Sequence, residues 1–269
     1  MDNRYIGVFD SGVGGLTFVK ELMKNLPDEN IVYFGDTGRV PYGTRSADTI
    51  KKYAIDDMNF LMTHDIKAVV IACGTVSTVA IPTLRKIYNI PIIGVVDASA
   101  IAAVNATENN KIGIIGTIGT IKSGKYEQAI KEISPMMETA SVACPMFVPL
   151  VENNMADTEA SYLIAKDYLK PFVDMGVDTL ILGCTHYPLL SNTIRKIMGD
   201  HVKLIDAGAA TAHFVSEYLK NKNMLSETRE KEQYKFFVSD SVENFINVAD
   251  KFLGRKIDDS VQKIDIEIF

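Results

Sequence analysis

Short apolar, β-branched runs alternate with amphipathic segments along almost all of this 269-residue chain. That alternation predicts an α/β fold, with two similar three-layer αβα lobes, mainly parallel sheets and a site between them. Two internal echoes point to the pairing of lobes. IGVFDSGVGG at 6–15 is echoed by IGIIGTIGTI at 112–121, and VVIACGTVST at 69–78 by TLILGCTHYP at 179–188. The offsets, 106 residues for the first echo and 111 for the cysteines of the second, are close enough to suggest a duplicated half.

The elements follow in order. YIGVFD at 5–10 reads as a strand, and Leu16, Val19, Met23 and Leu26 then fall on one face at spacings of three and four until Pro27 stops the helix. IVYFGD at 31–36 is the next strand. Further strands are expected at 67–72, 91–96, 111–116, 178–182, 202–206 and 235–239, with helical segments between most of them. No Pro- or Ser-rich linker separates the halves, so ordinary loops near residues 97 and 207 are expected to carry the chain across. The first lobe would then comprise 1–97 plus 207–269, and the second 98–206. The polar stretch SETREKEQYK at 226–235 reads as a solvated helix end or loop without a function of its own.

Composition removes several function classes. A net charge of -6 provides no basic field for phosphate backbones, so nucleic acid is not expected as a partner. The longest apolar runs are strand-sized, and no membrane span is expected. The opening MDNRYIGVFD has neither a basic segment followed by an apolar one nor a small-residue cleavage site, so a cytoplasmic location is expected. The three cysteines, Cys73, Cys144 and Cys184, form no CxxC pair, and no HxxxH spacing joins the four histidines, so reduced, individually acting thiols are expected and no metal.

Four turns carry the candidate chemistry. Asp10-Ser11-Gly12-Val13-Gly14-Gly15 follows a strand and precedes a helix, where glycines let backbone N–H groups approach an anion. The turn lacks a Walker lysine and dinucleotide spacing, so a small carboxylate fits better than a nucleotide. Asp10, at the C-terminal end of its strand, is expected to face the ligand crevice. Gly35-Asp36-Thr37 and the turn Val40–Arg45 follow the next strand, with Pro41 and Gly43 presenting Tyr42 and its neighbouring amides at the crevice mouth. Ala72-Cys73-Gly74-Thr75 and Gly183-Cys184-Thr185-His186 each end a buried strand at a helix N-terminus, a position that favours thiolate. Only His186 among the histidines abuts a thiol, and Cys144 in SVACPMF reads as packing.

Two thiols in equivalent turns, one from each lobe, suit proton transfer at one carbon. A thiolate removes a proton from one face while a thiol delivers one to the other. No PLP lysine signature is evident, so no organic cofactor is expected. Without one, donors and charges must stand where negative charge develops.

With these motifs assembled, the chain resembles the glutamate racemases of the aspartate/glutamate racemase family over nearly its whole length. DSGVGG at 10–15, GDT and VPYG within 35–43, the cysteine turn at 72–75, PLVE at 149–152 and GCTHYPLL at 183–190 carry the resemblance. It implies a cofactor-independent isomerase that interconverts L- and D-glutamate and supplies D-glutamate for peptidoglycan, as a homodimer. Cys73 and Cys184 would be the two bases, with Asp10 and His186 assisting them, and Asp36 and Glu152 would tune the site. Ser11, Tyr42, Gly43, Thr75 and Thr185 would hold substrate through hydroxyls and backbone amides, alongside Asp10 and His186. The family usually reads Cys-Asn-Thr where this chain has Cys73-Gly74-Thr75. Gly74 therefore offers only its backbone N–H to substrate, in a turn free to adopt conformations less open to asparagine. Rival readings are a racemase of aspartate or another acidic amino acid, a cysteine-dependent dicarboxylate isomerase or decarboxylase, and a noncatalytic two-lobed binding protein.

Overall fold

The computed structural model describes residues 2–226, 234–257 and 261–269, so most of the polar stretch at 226–235 lies outside the described residues. The chain opens with β1 (Tyr5–Asp10), α1 (Leu16–Asn25), β2 (Ile31–Gly35), α2 (Ala47–Leu61), β3 (Ile66–Ile71), α3 (Gly74–Val79), α4 (Ile81–Ile87) and β4 (Ile92–Gly94). It continues through α5 (Val95–Ala106), β5 (Lys111–Gly116), α6 (Ile118–Lys122), α7 (Lys125–Ile133), β6 (Glu138–Ala143), α8 (Phe147–Glu152) and α9 (Glu159–Met175). After β7 (Thr179–Leu182), α10 (Ser191–Met198), β8 (Lys203–Asp206) and α11 (Ala207–Asn221), it ends with β9 (Tyr234–Val238), α12 (Val242–Leu253) and β10 (Val261–Lys263).

Two sheets result, ordered β10-β9-β2-β1-β3-β4 and β6-β5-β7-β8, and every strand pair in them is parallel. The second order repeats the β2-β1-β3-β4 core of the first, with β5 in the place of β1 and β7 in the place of β3. Both sequence echoes therefore fall on matching strands. β2 and β3 are buried along their whole length, as strands covered by helices on both faces must be.

Several expected details differ. The strand expected at 91–96 ends at Gly94, and Val95 and Val96 begin α5. A β-carbon at Gly94 would lie 2.3 Å from Ile81 Cδ1, so glycine lets Ile81 pack tightly over this abrupt turn into a helix. The crossings near 97 and 207 are helices rather than loops. α11 starts directly after β8, where the Asp206 carboxylate accepts hydrogen bonds from the N–H groups of Gly208 and Ala209. In α1, Phe18 and Leu22 are fully buried while Met23 is only partly so, because α11 and α12 pack against the helix as well as the sheet. Two strands were not expected: β6, whose mostly half-exposed ETASVA pattern marks a sheet edge, and the three-residue β10.

Candidate active site

The C-terminal ends of β1, β3, β5 and β7 converge on one cavity of about 380 Å³ between the two sheets. That volume suits a small molecule. Ser11, Tyr42, Gly43, Cys73, Gly74, Thr75, Glu152, Cys184, Thr185 and His186 all line it. Of the residues singled out from the sequence, only Asp10 and Asp36 do not.

Cys73 ends the β3 turn at the N-terminus of α3, 6% exposed, with its thiol 3.6 Å from Ser11 Oγ. Burial, and then the nearby Asp10 charge, push this thiol up to about 12, against the opposing influence of the Val76 N–H and Ser11. The expected lowering at a helix N-terminus is thus overturned for Cys73: α3 has only six residues, and desolvation outweighs its few amides.

Asp10 is buried near enough to that thiol for its charge to act on it. Its Oδ2 accepts hydrogen bonds from Gly12 N and Gly15 N, each at 3.1 Å. The anion held by this glycine turn is therefore Asp10 itself, which corrects the expectation that these amides are free for a ligand. Asp10 Oδ1 has no hydrogen-bond partner among the described residues. Burial raises the Asp10 carboxyl above its usual range, opposed by the His186 charge and the turn amides.

Opposite stands Cys184, 9% exposed, with its sulfur 3.9 Å from His186 Nδ1. His186 Nε2 lies 3.0 Å from Glu152 Oε1, and the ring meets Phe252 edge-on, with centroids 5.4 Å apart. Burial disfavours the imidazolium, but the hydrogen bonds to Cys184 and Glu152, and then the nearby Asp10 charge, overcome it and raise His186 to about 10. Gly14 makes room for this arrangement, since a β-carbon there would lie 2.6 Å from the imidazole.

Gly74 has no positive φ, so the unusual turn conformation expected for it is absent. What glycine supplies is space: a β-carbon at Gly74 would sit 2.4 Å from the Gly183 carbonyl oxygen of the opposite cysteine turn. Tyr42 is also narrowed in its role. Its ring is buried and its hydroxyl donates to Asp36, leaving backbone to face the cavity. Asp36, fully buried beneath that loop, supports Tyr42 rather than a thiol.

Among the cavity residues not singled out from the sequence, Thr117 makes the most telling contacts. Thr117, after β5, lies 2.9 Å from Thr75 Oγ1 across the two lobes and 3.0 Å from Thr120 Oγ1. The first echo places Thr117 in register with Ser11, and that alignment was the available signal. Cys144 also borders the cavity, but its thiol donates to the Val142 carbonyl and burial raises it. Among the described residues, no group of three or more His, Cys, Asp or Glu side chains could hold a metal ion, and no helix is long and apolar enough to cross a membrane.

Comparison with known proteins places these features in a group. The sequence pattern of the Asp/Glu/hydantoin racemases matches residues 11–215. A glutamate racemase of Geobacter metallireducens is 47% identical over 257 residues, covering 96% of this chain and 95% of that one. The crystal structure of a glutamate racemase isoform from Bacillus anthracis superposes with a TM-score of 0.94 at 40% identity, covering 98% of each chain. That of the Francisella tularensis glutamate racemase in complex with D-glutamate gives 0.93 at 38% identity, covering 100% of each.

Proposed function

Because the chain belongs to the Asp/Glu/hydantoin racemase family and matches glutamate racemases over nearly its full length, which makes it an isomerase, we propose that it inverts glutamate by passing protons between Cys73 and Cys184. The observation that carries this reading is the pair of buried thiols in matching turns on one cavity, each with its own charged helper.

In one direction the Cys184 thiolate, faced by the His186 imidazolium, takes the α-proton as the C–H bond breaks and an S–H bond forms. Cys73, held as a thiol, gives its proton to the opposite face, so its S–H bond breaks and the new C–H bond forms. The two sulfurs thereby exchange protonation states, and the reverse reaction begins from the exchanged pair. Ser11, Thr75, Thr185 and the backbone N–H groups of Tyr42, Gly43 and Gly74 hold the substrate carboxylates, and Asp10 and His186 steady the charge at their respective sulfurs. Thr117 joins this set.

We take the lobes to be 1–97 plus 207–269 and 98–206, with one thiol from each. The product D-glutamate would feed peptidoglycan synthesis, in the cytoplasm, from a homodimeric enzyme; the resemblance to glutamate racemases supports each of these assignments.

The test follows the α-proton. Incubated in deuterated water with L- or D-glutamate, the protein should incorporate deuterium at the α-carbon and bring either enantiomer to a racemic mixture. Folded protein that incorporates none in either direction overturns the proposal, and faster turnover of aspartate would reassign the substrate.

A proton that His186 keeps up to about 10 when folded, but loses near 6.5 when unfolded, stabilises the fold fully below 6.5. That contribution is lost as pH rises through about 10. Tm should accordingly decline across this window, and His186→Asn should flatten the decline while removing the alkaline limb of kcat/KM near 10. An unchanged alkaline limb in the variant would assign the limb to another group.

A further inference from the structure

We propose that Arg39, which touches neither the cavity nor a thiol, is a positioning residue that fixes the substrate-binding amides of Tyr42 and Gly43. This inference rests on the glutamate reading above and extends it to a residue outside the cavity wall.

Arg39 is 9% exposed, and its guanidinium donates to three carboxylates, with the exposed Glu267 carboxylate a fourth at 3.8 Å. Nε donates to Asp36 Oδ2 at 2.6 Å, one terminal nitrogen to Asp56 Oδ2 at 2.7 Å, and the other to Asp57 Oδ1 at 2.9 Å. Its plane also lies over the Tyr53 ring, 4.2 Å from the centroid, and the Tyr53 ring packs against Tyr42 at 5.3 Å. Asp36 belongs to the same loop as Arg39, whereas Asp56, Asp57 and Tyr53 all sit on α2. The guanidinium therefore pins the 36–45 loop to that helix through a planar fork.

Tyr42 completes the clamp. Its hydroxyl donates to Asp36 and approaches Asp57 Oδ2 at 3.4 Å, so both ends of the loop share the carboxylates that Arg39 holds. Ser239 closes the far side by donating to Asp36 Oδ1 at 2.7 Å while accepting from Gly38 N at 2.8 Å. Val40, Pro41, Tyr42, Gly43 and Thr44, the stretch held between these anchors, form one wall of the cavity. The Gly43 carbonyl also accepts from Gly119 N at 3.1 Å, which ties this wall to the second lobe.

Two buried carboxylates around one cation are an expensive way to hold an ordinary surface turn, because each charge must be taken out of water. The arrangement is accounted for if the loop must present its amides in one fixed position. Losing that position should weaken binding of both enantiomers alike and leave proton transfer at the thiols largely intact, the pattern of uniform binding loss.

The experiment compares the full-length protein with Arg39→Lys, which keeps the charge but loses the fork. Lys67→Met serves as the control for plain stability. Lys67 is another fully buried cation of the first sheet, bound to Glu29 at 2.5 Å and to the carbonyls of Asp2 and Met224, and it lies away from the cavity. Three quantities are measured: Tm, kcat and KM in both directions, and calorimetric binding of racemic glutamate, on which turnover makes no net change. Arg39→Lys should raise KM and the dissociation constant about 10-fold or more in both directions with kcat held within about threefold. Lys67→Met should lower Tm without moving KM. Unchanged KM in Arg39→Lys, a fall in kcat alone, or an equal rise in KM for Lys67→Met would overturn the positioning role. Wild-type protein that binds glutamate without turning it over would overturn the racemase reading and leave Arg39 to be judged on binding; failure to bind glutamate would remove both.

Discussion

Replacing either Cys73 or Cys184 by serine is expected to lower kcat by about 10³-fold or more in both directions, the scale of losing a positioned proton-transfer group. Both directions suffer because each sulfur serves once as base and once as acid in a full cycle. Serine preserves the shape of the side chain but not its acidity, and a hydroxyl is a far weaker source of anion than a thiol in the same buried turn. Cys144→Ser is the control. That residue is fully buried and borders the same cavity, yet its thiol only donates to the Val142 carbonyl, a bond that serine can also make. Its activity should stay within about threefold of the parent, since a buried cysteine used for packing behaves as a small hydrophobe. The measurement is a polarimetric progress curve from each enantiomer, with circular dichroism to establish folding. Equal rates in all three variants would remove the two-thiol assignment.

The second large effect is expected at Gly74. Gly74→Asn introduces the residue usual in the family, yet it should lower kcat/KM by about 10²-fold, because displacing reacting groups by roughly 1 Å costs on that order. The physical cause is the 2.4 Å between a β-carbon at this position and the Gly183 carbonyl oxygen. That carbonyl is backbone, immediately before Cys184, so it cannot swing aside as a flexible side chain would. The two cysteine turns must separate, and the thiols separate with them. Gly74→Ala carries the same β-carbon and should reproduce most of the loss, which distinguishes crowding from any contact made by the asparagine amide. Kinetics in both directions alongside Tm check this, and a Gly74→Asn variant as active as the parent would exclude the crowding argument.

Much of the fold was legible because its signals are local. A parallel sheet covered on both faces demands apolar β-branched runs, and amphipathic helices must separate them, so all eight expected strands lie within two residues of those observed. The edge strand β6 was not legible, since a half-exposed ETASVA has no reason to look apolar. The helical crossings at α5 and α11 were hidden for a different reason: nothing in a local pattern distinguishes a helix that follows a strand within a lobe from one that leaves for the next.

The two cysteine turns, their equivalence, the glycine-rich turn after β1 and the resemblance that these carry together are readable in the chain alone, because each is a short contiguous pattern at a strand end. How those turns act on one another follows from the folded arrangement. It turned the amides of residues 12 and 15 onto Asp10, spent the Tyr42 hydroxyl on Asp36, joined Thr117 to Thr75, and buried Cys73 deeply enough to reverse the expected direction of its titration. Desolvation and contact depend on atoms far apart in the chain, and a local pattern does not contain them. Gly74 illustrates the division: its identity was evident from the sequence, but its reason is a carbonyl oxygen more than a hundred residues away.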